Sequence, residues 1–158
     1  AWLDSGAAER GRFVIAGAIE PAYGQVLEPL LAHPSVEHHG QVGDPAALMR
    51  ECDVLVLPSL EEGSALVTYE ARGSGCVLVV SDRAGAHCTP DVDALVHPAG
   101  DLEALTRDVA ELAGNREKLA TLRAASLAGA PELTWSKAGE VLAGLYAASC
   151  PGLVERPV

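Results

Sequence analysis

Two short apolar runs, Val54-Leu55-Val56-Leu57 and Cys76 to Val80, flank a stretch of helical length, Ser64 to Ser74. Neither run alternates apolar with polar residues, so each predicts a strand covered on both faces. Strands joined through a helix pair in parallel, by a right-handed crossover. The same alternation runs along the rest of the chain. Arg12 to Ala18 predicts a buried strand, Ala22 to Leu31 a helix, and Val36 to His39 a short strand closed by Gly40. Asp44 is placed to cap a helix that begins at Pro45 and ends near Glu51. Ala94 to His97 predicts a last short strand. From Asp101 onward the pattern is helical, over Asp101–Ala113, Arg116–Ala128 and Ser136–Ala148. The expected class is α/β, a small doubly wound parallel sheet with C-terminal helices.

The chain has 158 residues, which suits one domain with a full core. Aromatics make up 4% of it, which favours helices packed on a parallel sheet over a β-sandwich. A formal charge of −11 argues against nucleic acid or an anionic membrane as partner. Cys52, Cys76, Cys88 and Cys150 are scattered, with no C-x-x-C pair and no histidine at metal-ligand spacing, so no metal site is expected. With no signal peptide and no long apolar segment, a soluble cytoplasmic domain without an integral membrane segment is the expectation. Ala1-Trp2-Leu3-Asp4 reads as the tail of a helix, so the domain, 1–158, is expected to be the C-terminal fragment of a larger protein.

Chemistry concentrates between the two central strands. Glu62 and Glu70 stand with seven residues between them. The strand ends at Pro58, and the chain passes through Glu62-Gly63 into the helix, which makes a crevice at a strand's carboxyl end, where open α/β sheets bind ligands. Glu62 would lie in the loop and Glu70 about a turn and a half into the helix, facing one ligand from two elements. A carboxylate accepts from two hydroxyls, at roughly 1.5–3 kcal/mol for each charged hydrogen bond. Backbone N–H groups of Gly63, Ser64, Ala65 and Leu66 approach a helix N-terminus, which favours oxygen acceptors and negative charge. Spacing alone favours a solvated pair on an exposed turn and helix. Glu61 reads as an exposed neighbour and Ser64 as a helix cap. His33 and His97 read as surface residues, and Trp2, Trp135 and Tyr146 as packing residues. His87 and the turn at Ser81-Asp82 are lesser candidates for contact with the crevice.

The run DVLVLPSLEEGSALVTYEARGSGCVLVVSD, Asp53 through Asp82, resembles the donor-binding domain of GT-B glycosyltransferases of the group-1 (GT4) retaining family. The shared pattern is E-x7-E after a strand ending in P-S, then E-A, a glycine-closed helix and a strand leading to S-D. Phe13-Val14-Ile15-Ala16-Gly17, the Gln41-Val42 segment, Pro98 to Leu105, Trp135-Ser136 and Tyr146 extend the likeness over nearly the whole chain. The resemblance implies a Rossmann-like half of a two-domain enzyme that moves a hexosyl group from a nucleotide sugar to an acceptor, with retention and without a metal or other cofactor. Carried over, Glu70 would bind the ribose hydroxyls. Glu62 would bind hexose hydroxyls and support charge at the anomeric carbon, and the backbone near Val42 would meet the nucleobase. UDP-, GDP- and ADP-sugars all remain open as donors.

The family's diphosphate-clamping Arg and Lys, and its acceptor-binding N-terminal domain with a catalytic histidine, have no counterpart in this sequence, so the isolated domain is expected to be inactive. Two family glycines are replaced near Pro90 to Ala94, and a third is Ala65. A signalling receiver domain would need acidic residues at the carboxyl ends of its first and third strands and a lysine after the fifth, which are missing. A dinucleotide-binding dehydrogenase would need G-x-G-x-x-G, which Gly17-Ala18-Ile19-Glu20 does not supply. A non-catalytic sugar-nucleotide-binding module stays open as the alternative.

Overall fold

The computed structural model describes residues 1–149, and Cys150 lies outside them. The order is a short 3-10 turn, then β1 (Phe13–Ala16), α1 (Pro21–Leu31), β2 (Val36–Gly40), α2 (Pro45–Arg50) and β3 (Val54–Leu57). α3 (Leu66–Gly73), β4 (Val77–Ser81), β5 (Ala94–His97), α4 (Leu102–Gly114), α5 (Arg116–Gly129) and α6 (Trp135–Ser149) complete it. Local chemistry sets the helix starts. Asp44 accepts from the Ala47 amide at 2.9 Å, and Asp101 from the Ala104 amide at 2.8 Å. Asn115 both ends α4 and caps α5, taking the Lys118 amide at 2.9 Å. Each side chain satisfies an amide that the first helical turn leaves without a partner.

All strand pairs are parallel, as the alternating pattern predicts. Hydrogen bonding divides the five strands into two sheets, β1-β2 and β3-β4-β5. β4 is the centre of the larger one, with Val54 opposite Val77 on one side and Leu78 opposite Ala94 on the other. Every residue of β4 is buried. Its alternate side chains feed two cores, because successive residues of a strand point to opposite faces. Leu78 and Val80 join Ala71 of α3, Cys76, Ala84 and Ala94, with Met49 and Leu55 packed around them. Val77 and Val79 join Leu95, Leu112 of α4, and Leu119 and Leu122 of α5. Helices therefore cover both faces of the β3–β5 sheet, the doubly wound arrangement.

The smaller sheet is less covered. Phe13, Val14 and Ile15 are half-buried, and Ala16 is exposed. α1 buries no residue. Trp2 stacks on Phe13 with ring centroids 5.7 Å apart and donates its indole N–H to Ser35 Oγ at 2.9 Å, the packing role its sequence position predicts. Trp135 and Tyr146 depart from that expectation: they are 79% and 65% exposed, and α6 buries none of its residues. His97 departs in the other direction. It is buried, with Nδ1 3.1 Å from Asp108 Oδ2 of α4, because the residue two after Leu95 points to the same helix-covered face.

Candidate functional site

The loops that follow β3 and β4 are stitched together at the carboxyl edge of the sheet. Ser81, the last residue of β4, donates its hydroxyl to the Ser59 carbonyl at 2.5 Å. The Glu62 amide donates to the Arg83 carbonyl at 2.9 Å. Gly85 then passes directly under the Glu62-Gly63 turn. Its φ is +61°, and a Cβ there would stand 2.5 Å from the Gly63 carbonyl oxygen. Both the conformation and the space require glycine at 85. The turn that carries Glu62 thus rests on backbone from the next loop.

On this platform the two glutamates leave their carboxylates open. Glu62 is exposed, with a single weak contact from the Ser59 hydroxyl at 3.4 Å. Glu70 is exposed on α3, and no described residue donates a hydrogen bond to its side chain. Neither carboxylate is used up by an ion pair among the described residues. The chain between them is similarly uncommitted. Ala65 occupies the N-cap position of α3 and has no side chain that could cap the helix. Ser64, which the sequence places as the cap, instead turns its hydroxyl to the Tyr69 hydroxyl at 3.2 Å. The amides of Gly63, Ser64 and Ala65 donate to no described residue, and Leu66 opens the helix with its own N–H free. Two acceptor carboxylates and a run of open donors therefore share one strand-to-helix passage.

Val42 is half-buried in the loop after β2. That loop leads into α2, which packs beside α3 on the same face of the larger sheet, with Met49 against the core that holds Ala71. Among the described residues no hydrogen bond ties Val42 to the glutamate loop. A cavity of about 240 Å³ lies in the segment after β4, lined by Val80, Ser81, Asp82, Gly85, Cys88 and Pro90 among others. Neither Glu62 nor Glu70 lines it. Asp82 is occupied structurally, accepting from the Ala99 amide at 2.9 Å. His87 is exposed and contributes its carbonyl to the fold. Among the described residues no group of three or more His, Cys, Asp or Glu side chains is placed to hold a metal ion.

Two features, the backbone of Asp91 and the burial of Arg72, escape a reading of the sequence, whereas Cys76 is buried as its place beside an apolar run predicts. Asp91 adopts φ +59°, so the conformation that a glycine would supply here persists without one. Aspartate is among the few residues that tolerate it. Burial pushes the Cys76 thiol up to about 11, which keeps it protonated and unreactive at neutral pH. Arg72 is buried on α3, in the stripe Thr68, Ala71, Arg72 that faces the core. Its i, i+3, i+4 spacing was the available signal, and its charge concealed it.

Residues 4–115 match the family described as glycosyl transferases group 1. The chain belongs to that family. A curated relative from Campylobacter jejuni subsp. jejuni serotype O:2, N,N'-diacetylbacillosaminyl-diphospho-undecaprenol alpha-1,3-N-acetylgalactosaminyltransferase, is 29% identical over 114 residues. That match takes in 72% of this chain and 28% of the relative, so the chain spans little more than a quarter of the relative's length. Among solved structures, Anabaena Alr3699/HepE in complex with UDP-glucose superposes with a TM-score of 0.70 at 21% identity, over 81% of this chain and 39% of that one. The C-terminal domain of a group 1 family glycosyl transferase (LpcC) from Francisella tularensis gives 0.69 at 14% identity, over 80% and 74%. At these identities the superpositions speak for the fold, which is that of the GT-B glycosyltransferases. No helix among the described residues is long and apolar enough to cross a membrane.

Proposed function

We propose that this chain is the donor-binding domain of a group 1 glycosyltransferase. It would hold a nucleoside-diphosphate sugar at the strand-to-helix passage between Glu62 and Glu70. The observation that carries the reading is the joint availability of the two carboxylates and of the N–H groups from Gly63 to Leu66 at one sheet edge. Glu70 accepts from the ribose hydroxyls. Glu62 accepts from hydroxyls of the hexose and stabilises positive charge as the anomeric bond to phosphate breaks. The open amides at the start of α3 face the diphosphate, where the helix dipole favours negative charge and offsets the repulsion of a chain of charge −11. Backbone near Val42 meets the nucleobase.

The wider reading is of a GT4-type hexosyl transfer with retention of configuration, cytoplasmic, with no cofactor beyond the nucleotide-sugar co-substrate. The acceptor is held by an N-terminal domain outside this chain, and residues 1–158 alone bind donor without turnover. The match of an isolated C-terminal domain from a family member supports this division. Calorimetry with UDP-, GDP- and ADP-sugars tests the reading. One donor class is expected to bind, and Glu70→Ala is expected to weaken it by about tenfold or more, the loss of a charged hydrogen bond pair. Binding that survives Glu70→Ala unchanged would count against it. In the complete enzyme, Glu62→Ala is expected to lower kcat more than donor affinity, and equal losses in both would leave Glu62 a binding role only.

A further inference from the structure

Arg72 is the most extensively bonded side chain of the β3–β5 half, and the function above gives it no task. Its side chain is 4% exposed. One terminal nitrogen donates to the His87 carbonyl. The other sits 2.7 Å from Asp93 Oδ2 and 3.4 Å from the Ser126 carbonyl at the end of α5. Asp93 in turn accepts the Thr89 amide on Oδ1 at 2.7 Å. Gly129 leaves the guanidinium its space, since a Cβ there would stand 2.9 Å from the same nitrogen. A buried charge persists when it is paired and hydrogen-bonded, and a planar guanidinium can hold several acceptors in a fixed fan. Here both terminal nitrogens are bonded, while Nε has no partner among the described residues.

Two of the three residues held by this fan, His87 and Asp93, belong to the loop from Arg83 to Asp93. The other end of that loop carries the Arg83 carbonyl, which takes the Glu62 amide, and Gly85, which lies against the Gly63 carbonyl. The loop is therefore fastened at two points: to α3 and α5 through Arg72, and to the Glu62 turn through its own backbone. Arg72 also lies on the helix that carries Glu70.

We propose that Arg72 is a positioning residue for the donor site, clamping the 83–93 loop so that the loop fixes the Glu62-Gly63 turn relative to Glu70. The clamp follows from these contacts, and its bearing on donor binding rests on the function proposed above. A lysine at 72 would reach Asp93 as a point charge but could not span the two carbonyls, so it replaces the clamp only in part.

Amide exchange by mass spectrometry and UDP-, GDP- and ADP-sugar calorimetry on the 158-residue chain test this, with Arg72→Ala, Arg72→Lys and Asp93→Asn. The expected result is faster exchange in peptides covering 83–93 and 59–66, with α4 peptides unchanged. A fall of about tenfold in nucleotide-sugar affinity should accompany it in Arg72→Ala, with partial recovery in Arg72→Lys. Asp93→Asn keeps the side-chain shape and gives the same readout if Arg72→Ala does not fold. Unchanged exchange at 59–66 in a folded variant overturns the proposal. So does uniformly faster exchange across the β3–β5 half, the mark of a merely structural arginine, or faster loop exchange with unaltered affinity. If the wild-type chain binds no nucleotide sugar, the proposed function falls, and the exchange pattern alone decides the clamp.

Discussion

β1 and β4 are both apolar strands, one in each sheet, and end in different states. β4 is buried along its whole length between α3 on one face and α4 and α5 on the other. β1 is only half-buried, and α1 beside it hides no side chain. The difference shows that hydrophobic sequence alone does not make a core; a strand must also receive helices on both faces. The proposed donor loop grows from the well-packed sheet. Glu62 and Glu70 flank open solvent, but each is attached to the most deeply buried part of the molecule. Side chains that must meet a ligand precisely gain from rigid supports.

The sharpest way to break this contrast is a pair of truncations. Leu78→Ala is expected to cost about 3–4 kcal/mol, because it empties a fully enclosed site. Ile15→Ala in β1 should cost only about 1 kcal/mol, in proportion to its partial burial. Urea unfolding measures both, and equal costs would erase the distinction between the sheets. A smaller effect tests the loop after β4. Asp91→Gly relieves a left-handed backbone at an exposed aspartate and is expected to stabilise by up to about 1 kcal/mol. A destabilised variant would mean that the Lys118 contact at 3.6 Å outweighs the strain.

The smallest effect concerns acid. Asp53, at the entry to β3, is held below the ordinary carboxylate range chiefly by the Arg123 hydrogen bond at 2.5 Å, with Arg116 adding to it. Glu37 on β2 is lowered by His39 and then Arg12. A depressed carboxyl contributes stability that is present above its unfolded value and disappears as pH falls through the folded one. Stability from Asp53 should therefore fade below about pH 3.8, the ordinary value for the group. Asp53→Asn is expected to flatten the acid limb of a melting-temperature profile slightly. Glu37→Gln should barely alter it, since its partners are solvated. A larger response from Glu37 would reverse the ranking of the two sheets.

Much of this was legible in the residues because it is local. Val54–Leu57 and Val77–Val80 declare themselves by unbroken apolar runs, and Asp44, Asp101 and Pro45 mark helix starts by chemistry that acts within one turn. The glutamate pair was visible through its place between strand and helix. The remainder depends on contacts between distant segments. Nothing near Phe13 or Val54 reveals that their strands join separate sheets. Ser64 is a better cap than Ala65 by its side chain, yet Tyr69 takes its hydroxyl. His97 and Arg72 carry polar labels that argue for the surface, and only the partners Asp108 and Asp93, supplied by other elements, make their burial tolerable. Trp135 and Tyr146 carry the opposite label and remain exposed.

The absence of a side chain at position 85 has a consequence for how such a sequence can vary. Alanine there would collide with the peptide of residue 63, twenty-two positions upstream, and push the acidic turn off its seat. The two segments can drift only in concert, so a library randomised over both loops should return joint solutions and almost no single replacements at 85.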